Sequence, residues 1–199
     1  YYNNLLHNPG GQVIECDVCS EWHLEDNGKT MAFTLIKGIK FHSGKELTSK
    51  DVAYSLNKIM GYVDGVISAR SGVIKEYIEK LETPDPYIFK IRLLRPSAFV
   101  PKVLVIGFSG IMEEGTTRDQ LQQKPYGSGP FILDSLERGS VVRARKNPNY
   151  FKQGLPYLDG IDVYNIKDDV ASISALLTNR TDFSRLSTGV PQSWESQYA

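Results

Sequence analysis

The chain has few cysteines and histidines, which commonly bind metals, and no excess of charge of either sign. Its 199 residues include two cysteines and three histidines, and 23 basic residues balance 23 acidic ones, so the formal net charge is zero. A neutral chain gives no general reason to expect nucleic-acid binding or attachment to an anionic membrane. No apolar stretch approaches the ~20 residues of a membrane span. The longest strongly apolar run, residues 103–108, is therefore expected to be buried core.

Residue patterns for catalysis are equally sparse. The serines, histidines and carboxylates form no Ser-His-Asp or paired-carboxylate spacing. Gly127-Ser128-Gly129 is too short for a phosphate-binding loop, and Pro130 and a predicted strand follow it instead of a helix. The sequence therefore predicts no enzyme activity, no catalytic residue, no metal ligand and no cofactor. With 41% hydrophobic and 11% aromatic residues, the chain can still bury the core of a folded globular protein.

Cys16 and Cys19 form a Cys-x-x-Cys pair, which is typical of a metal or redox site. No second pair follows, so a tetrahedral zinc site would have to recruit histidines. If the segment is extended, as Val13-Ile14-Glu15 suggests, the two Cα atoms lie ~10 Å apart, beyond disulfide reach. The pattern favours two free thiols buried in the core, and a metal or redox pair is the alternative.

Turn and strand signals fill the first part of the chain. Asn27-Gly28 is typical of a two-residue hairpin turn, because both residues tolerate positive φ. Residues 31–36 alternate as in a strand with a buried face, and residues 39–42 alternate again before the Ser43-Gly44 turn. His42 belongs to this turn and is expected to be structural.

A capped helix follows these strands. Thr48 is a predicted N-cap with Asp51 three residues on, and apolar residues recur at helical spacing, which predicts a helix over 49–60. The remaining elements are predicted as helices at 73–80 and 169–178 and as strands at 87–94, 130–137, 140–146, 160–166 and 181–186.

Residues 20–52 resemble the signature of the family 5 extracellular solute-binding proteins, the peptide- and nickel-binding components of bacterial ABC importers. The resemblance rests on Ser20-Glu21-Trp22 and on the turns, strands and capped helix just described. Further blocks match the family in order and spacing, at residues 126–133, 145–151, 156–161 and 169–183. The apolar segment 98–108 resembles a helix of the family, so the resemblance implies a helix there. Asn179 replaces the usual Gly at the end of the last helix and tolerates a left-handed backbone nearly as well.

The resemblance implies a fold of the type II periplasmic-binding-protein kind, of mixed α/β or α+β class. Residues 1–25 and 116–199 are expected to form the first-lobe core, a mixed sheet with flanking helices, and residues 26–115 an inserted α+β subdomain. The match stops where the family's second lobe starts, and no signal peptide precedes it. The chain is therefore expected to be an N-terminal lobe fragment of an exported protein, with the second lobe absent.

The same resemblance implies a function without chemistry. Such a protein is the substrate-binding component of an ABC importer, which captures a peptide, nickel chelate or oligosaccharide and presents it to the membrane permease. It is expected to be a monomer and to be periplasmic or extracellular, where the full-length protein could carry an N-terminal lipid anchor. The alternative is a protein-interaction module derived from this fold that binds no solute.

Two irregular segments are expected to reach the ligand-binding crevice, because loops at the ends of strands carry binding residues while the sheet stays rigid. One follows the capped helix and the other follows the last predicted strand. The guanidinium of Arg70, in the first segment, could pair with a carboxylate. The alternative for both segments is a solvated loop that binds no ligand. The predicted ligand-binding residues are Ser68, Arg70, Ser71, Ser187, Thr188 and Gly189.

Overall fold

A computed structural model describes residues 1–11, 13–63, 72–123 and 125–185. The chain forms nine strands and five α-helices in these residues. The strands are β1 Leu6–His7, β2 Glu15–Cys16, β3 Cys19–Glu25, β4 Thr30–Leu35, β5 Ile78–Asp85, β6 Ile88–Leu93, β7 Phe131–Glu137, β8 Val141–Lys146 and β9 Gly160–Tyr164. The helices are α1 Ser49–Ile59, α2 Gly72–Lys75, α3 Val100–Leu104, α4 Arg118–Gln123 and α5 Asp169–Leu177.

The chain divides into two compact units. Unit 1 comprises Tyr1–Leu133 and Ala144–Gly160, and unit 2 comprises Asp134–Arg143 together with the described residues from Ile161 onward. In the described part of the chain, no helix is long and apolar enough to cross a membrane.

Unit 1 is organised around a four-stranded antiparallel sheet in the order β3-β4-β6-β5. Phe33 lies at the middle of this sheet, where it pairs with Trp22 on one side and Phe89 on the other, and its ring centroid is 6.2 Å from each of theirs. Alternate residues of β4 and β6 are fully buried, as Met31 and Ile91 are. The predicted strands at 31–36 and 87–94 are confirmed as β4 and β6.

The connection between β3 and β4 contains the predicted Asn27-Gly28 turn. Asn27 and Gly28 have φ values of 54° and 83°, which confirms the predicted left-handed backbone. The turn is longer than predicted, because Glu25 pairs with Thr30 and residues 26–29 lie between them. The Asp26 carboxylate stabilises this longer turn by accepting a hydrogen bond from the Thr30 hydroxyl at 2.7 Å.

Helix α1 confirms the predicted capped helix. The Asp51 carboxylate accepts hydrogen bonds at 2.8 Å from both the backbone N–H and the hydroxyl of Thr48, the N-cap residue. Val52 and Leu56 on the apolar face are buried, and the helix contacts strands β5 and β6. The capping residues thus set where the helix begins, and its apolar spacing holds it against the sheet.

Two other predictions between residues 39 and 85 are wrong. Residues 39–42 form only one bridge, between Lys40 and Glu46, in place of a strand. The predicted helix at 73–80 is limited to the four residues of α2, and Ile78 already begins strand β5. Residues 78–85 form a strand because they pair with β6: Leu81 opposes Ile91, and Ile78 is buried opposite Leu93.

The predicted helix at 98–108 is confirmed only over α3.

The prediction of free cysteines is also wrong, because Cys16 and Cys19 form a disulfide. The assumed extended segment is in fact a turn at Asp17 and Val18, which brings the two Cα atoms to 5.0 Å. The turn is fixed by hydrogen bonds from the Asp17 and Val18 N–H groups to the carbonyl oxygens of residues 5 and 4, at 2.9 and 3.3 Å. An extended chain of that length would have kept the sulfurs apart.

A second sheet has the strand order β7-β8-β9 and confirms the strands predicted at 130–137, 140–146 and 160–166. Helix α5 confirms the helix predicted at 169–178. Its N-cap, Asp168, accepts a hydrogen bond from the Ala171 N–H at 2.7 Å, and Asn179 just beyond it has φ 53° as predicted. The strand predicted at 181–186 is not seen in residues 181–185, which contain no strand.

Candidate functional site

The six predicted ligand-binding residues lie outside the residues that the structure describes. Ser68, Arg70 and Ser71 fall within residues 64–71, and Ser187, Thr188 and Gly189 fall within residues 186–199. Their role in ligand binding stays a prediction.

The described residues on both sides of segment 64–71 contact each other. The Lys75 ammonium in α2 lies 4.7 Å from the centroid of the Tyr62 ring, which follows the end of α1. The Tyr62 N–H donates to the carbonyl of Asn57 at 2.9 Å, so the ring is tied to the last turn of the helix. A cation–π contact therefore joins the described residues on either side of segment 64–71.

Within unit 1, the first residues of the chain lie against Gly127-Ser128-Gly129. The Gly129 N–H donates to the Tyr1 carbonyl at 2.8 Å, and a Cβ built on Gly129 would lie 2.6 Å from that oxygen. Gly127 leaves as little room, so both glycines are needed for the close approach of two backbones. The glycines therefore serve backbone packing, and strand β7 follows at Phe131, as predicted.

His42 contacts the same loop through both its backbone and its ring. The backbone N–H of His42 donates to the Gly127 carbonyl at 2.7 Å, and the ring Nε2 lies 2.9 Å from the Gly129 carbonyl oxygen. Burial lowers the pKa of His42, against the smaller opposing effect of the Gly129 hydrogen bond. These contacts agree with the expected structural role of His42.

A partly buried polar cluster lies beside this loop, and we call it the Asp17 cluster: Asn3, Asp17, Ser128, Tyr150 and Lys152. Asn3 Nδ2 donates to both Asp17 carboxylate oxygens and to the Tyr150 hydroxyl, at 3.1, 3.1 and 3.2 Å. The Ser128 hydroxyl donates to Asn3 Oδ1 at 3.3 Å. The Lys152 ammonium completes the cluster 2.6 Å from Asp17 Oδ1. Every charge in the cluster therefore has a partner, as buried charges require.

An open, mostly apolar pocket of about 330 Å³ borders the Asp17 cluster. It shares Tyr150 and Lys152 with the cluster, and the other lining residues are Pro130, Phe131, Leu155, Pro156, Tyr157 and Leu158. Tyr157 is 87% exposed at the rim. The pocket offers apolar area, two tyrosine hydroxyls and one paired ammonium, which suit binding rather than bond-breaking chemistry.

Tyr2 is a further polar group in this region. Burial raises the pKa of Tyr2 to about 12, and its hydroxyl has no hydrogen-bond partner among the described residues. A Cβ built on Gly110 would lie 2.8 Å from the Tyr2 Cβ, so Gly110 is required for this packing. No local sequence pattern indicated these contacts, because residues 2 and 110 lie far apart in the chain.

Metal-binding side chains do not gather in the described residues. No group of three or more His, Cys, Asp or Glu side chains in residues 1–11, 13–63, 72–123 and 125–185 could hold a metal ion. The two cysteines are joined to each other, and the carboxylate of the Asp17 cluster is occupied by Asn3 and Lys152.

Residues 14–199 match the family described as bacterial extracellular solute-binding proteins, family 5 Middle, and the chain belongs to this family. It is similar to the probable di/tripeptide-binding protein 5 of Pseudomonas aeruginosa (strain UCBPP-PA14), with 28% identity over 183 residues, covering 80% of this chain and 34% of the relative. It is also similar to the glutathione-binding protein GsiB of Salmonella choleraesuis (strain SC-B67), with 28% identity over 194 residues, covering 92% and 36%.

Among solved structures, the chain is similar to the PBP AgaA of A. tumefaciens R10 in complex with agropinic acid. The TM-score is 0.82 at 25% identity, and the match covers 90% of this chain and 36% of AgaA. The predicted family and the type II periplasmic-binding-protein fold are therefore confirmed. The chain spans about a third of the length of the curated relatives.

Proposed function

We propose that this chain is part of the substrate-binding component of an ABC importer that captures a peptide or a similar small solute. The observation that carries the proposal is the family match over residues 14–199. Relatives named for di- and tripeptide or glutathione binding favour peptides over the nickel chelates and oligosaccharides that the family resemblance also allows. In such a protein no bond is made or broken, so the proposal includes the absence of enzyme activity.

The location and assembly follow the same proposal. Family 5 extracellular solute-binding proteins are periplasmic or extracellular, and we assign this chain to that side of the membrane, with a permease as its partner and a lipid anchor as one means of attachment. The protein acts as a monomer. We keep residues 1–25 and 116–199 as the first-lobe core and residues 26–115 as an inserted subdomain.

Ligand contacts in this proposal come from Ser68, Arg70 and Ser71 and from Ser187, Thr188 and Gly189. The contact between Tyr62 and Lys75 supports the first group, because binding residues are commonly carried by chain segments whose flanking residues are fixed by the scaffold. Arg70 would bind the carboxylate of a peptide through its two-pronged guanidinium.

Mass spectrometry of the purified chain tests the proposal, first under native and then under denaturing conditions. A native mass that exceeds the denatured mass by a few hundred daltons (about the size of a short peptide) supports solute capture, and fragmentation identifies the solute. Equal masses, with no calorimetric heat on addition of di- and tripeptides, glutathione, a nickel–histidine chelate or an oligosaccharide, would favour the interaction module.

Calorimetry with the same solutes also measures affinity. We expect dissociation constants weaker than about 1 μM, because the relatives are about three times as long and can bury more of a ligand. Arg70→Ala should abolish the weak binding of peptides, whereas the exposed Arg118→Ala in α4 should leave it unchanged. Equal effects of the two variants would rule out the assignment of Arg70.

A further inference from the structure

The Cys16–Cys19 disulfide lies beside the Asp17 cluster but plays no part in the proposed solute binding. Its two cysteines flank Asp17 and Val18, in the turn that leads from β2 to β3. The two residues differ in burial: Cys19 is 2% exposed, whereas Cys16 is only partly buried. Neither cysteine begins a helix, so no helix N-terminus stabilises a thiolate here, as it would in a disulfide oxidoreductase.

We propose that Cys16–Cys19 is a thiol–disulfide exchange site, a substrate for an external dithiol, and that its reduction loosens the Asp17 cluster. The thiolate of the dithiol attacks the accessible Cys16 sulfur, the S–S bond breaks, and its electron pair leaves with the Cys19 sulfur, which takes up a proton. The second thiol of the reductant then displaces Cys16, which is also protonated. Two electrons and two protons enter the protein, and the reductant becomes a disulfide.

The structure already holds a partner for the leaving group. The Cys19 sulfur lies 3.3 Å from the carbonyl oxygen of Leu5. A disulfide sulfur carries no proton, so this contact is not a hydrogen bond in the oxidised protein. After reduction the Cys19 thiol can donate to the Leu5 oxygen, which accepts the Asp17 N–H at 2.9 Å as well. The buried thiol is therefore accommodated without a new unpaired polar group.

Asp17 connects this redox change to distant parts of unit 1. Its carboxylate accepts the Asn4 N–H at 2.9 Å and the Asn3 side chain at 3.1 Å, which fixes the first residues of the chain. The same carboxylate holds Lys152, which lies 135 positions away and lines the apolar pocket with Tyr150. A disulfide across a turn this short leaves Asp17 little conformational freedom, and reduction restores that freedom.

The site of attack is tested with reduced glutathione, a monothiol. The oxidised protein is incubated with it, quenched with acid to stop exchange, and digested under non-reducing conditions. We expect the glutathione adduct on Cys16. In matched single variants, the remaining thiol of Cys19→Ser should react with a maleimide at least about tenfold faster than that of Cys16→Ser, because the Cys19 thiol reacts only after local opening. An adduct on Cys19, or equal rates, would overturn the assignment.

The coupling is tested by hydrogen exchange of the full chain with and without dithiothreitol. Reduction should speed exchange in residues 1–6 and 148–158 by about tenfold, the effect of losing one charged hydrogen bond, and should leave strand β4 unchanged. Asp17→Asn should give the same pattern without reductant, and reduction should add nothing further to it. Asp85→Asn, which removes a carboxylate bonded to the Tyr87 N–H on another turn, is the matched control.

Three results would contradict the coupling. Unchanged exchange in residues 1–6 and 148–158 after complete reduction would show that Asp17 is held without the disulfide. Faster exchange throughout unit 1 would show general destabilisation rather than a local release. Additive effects of reduction and Asp17→Asn would show that the two act separately.

Discussion

Unit 1 and unit 2 use the same kinds of residues but bury them to very different extents. Unit 1 buries most of the apolar side chains of its four-stranded sheet and of helix α1. In the described part of unit 2, Val141 is the single buried apolar side chain. Helix α5 has no buried residue, and every residue of β9 is exposed.

The difference shows that secondary structure and stability have different sources. Unit 2 has a well-formed helix cap at Asp168 and an ion pair of 2.8 Å between Arg143 and Glu137, but both are exposed and contribute little. In unit 1 apolar burial supplies the main stabilising free energy. We therefore expect the stability of the chain to be set by unit 1, and the following experiments test that expectation.

Hydrogen exchange should separate the two units most clearly. Amides of β4 and β6 are paired inside the sheet of unit 1, so they should exchange only when that unit unfolds. Amides of α5 and β9 should exchange at least about a thousandfold faster, by local opening. Exchange mass spectrometry at neutral pH measures both, and similar protection in α5 and β4 would contradict the contrast.

A pair of phenylalanine substitutions compares the units directly. Phe33 is 1% exposed and Phe183 is 81% exposed. Phe33→Ala should lower the free energy of unfolding by about 3–5 kcal/mol, because it empties the middle of the sheet. Phe183→Ala should change it by less than about 0.5 kcal/mol. Urea denaturation followed by circular dichroism gives both values, and a large effect of Phe183→Ala would show that unit 2 has a core of its own.

The two helix caps provide a second, smaller contrast. The Asp51 side chain is 0% exposed and binds Thr48, the Glu114 N–H at 2.8 Å and the Lys45 ammonium at 3.1 Å. Asp51→Asn should cost about 2–3 kcal/mol, since charged hydrogen bonds are lost in a buried site. Asp168→Ala removes an exposed cap and should cost about 1 kcal/mol. Thermal unfolding of both variants tests the order, and the reverse order would refute it.

The smallest effect concerns pH and is confined to unit 1, which contains all three histidines. Burial lowers the pKa of His42 below its ordinary value of 6.5. As the pH falls, His42 is therefore protonated in the unfolded chain before it is protonated in the folded chain. Its contribution to stability is complete above pH 6.5 and is lost as the pH falls from there through the pKa of the folded state. His42→Gln should reduce the change of the urea unfolding midpoint between pH 7.5 and pH 5. An unchanged slope in this variant would exclude His42 as the cause.

Much of the fold could be predicted where local signals and tertiary contacts agree. Thr48 and Asp51 predicted the start of α1, and the alternation of residues 31–36 predicted β4. In the folded chain, α1 buries the apolar face that its spacing predicts, and β4 lies inside the sheet with the buried face that its alternation predicts. The element at 73–80 was mispredicted because β5 exists only as a partner of β6, and that pairing is not visible in the local sequence.

The polar contacts of the Asp17 cluster were harder to predict than the fold. The Asp17 cluster joins residues 3, 17, 128, 150 and 152, whose contacts span up to 147 positions. Nothing in the spacing of these residues indicates that they meet. The disulfide was missed for a related reason: a turn at Asp17 and Val18 depends on Asn4 and Leu5, whose carbonyls accept its N–H groups. Chain spacing alone therefore favoured the wrong geometry.

The contact between Tyr62 and Lys75 bears on how such a protein can change over evolution. It joins the described residues on either side of segment 64–71, so it does not depend on the sequence between them. Under the proposed role of Ser68, Arg70 and Ser71, a change of solute would therefore come from drift in a short stretch, while selection for folding acts on other residues.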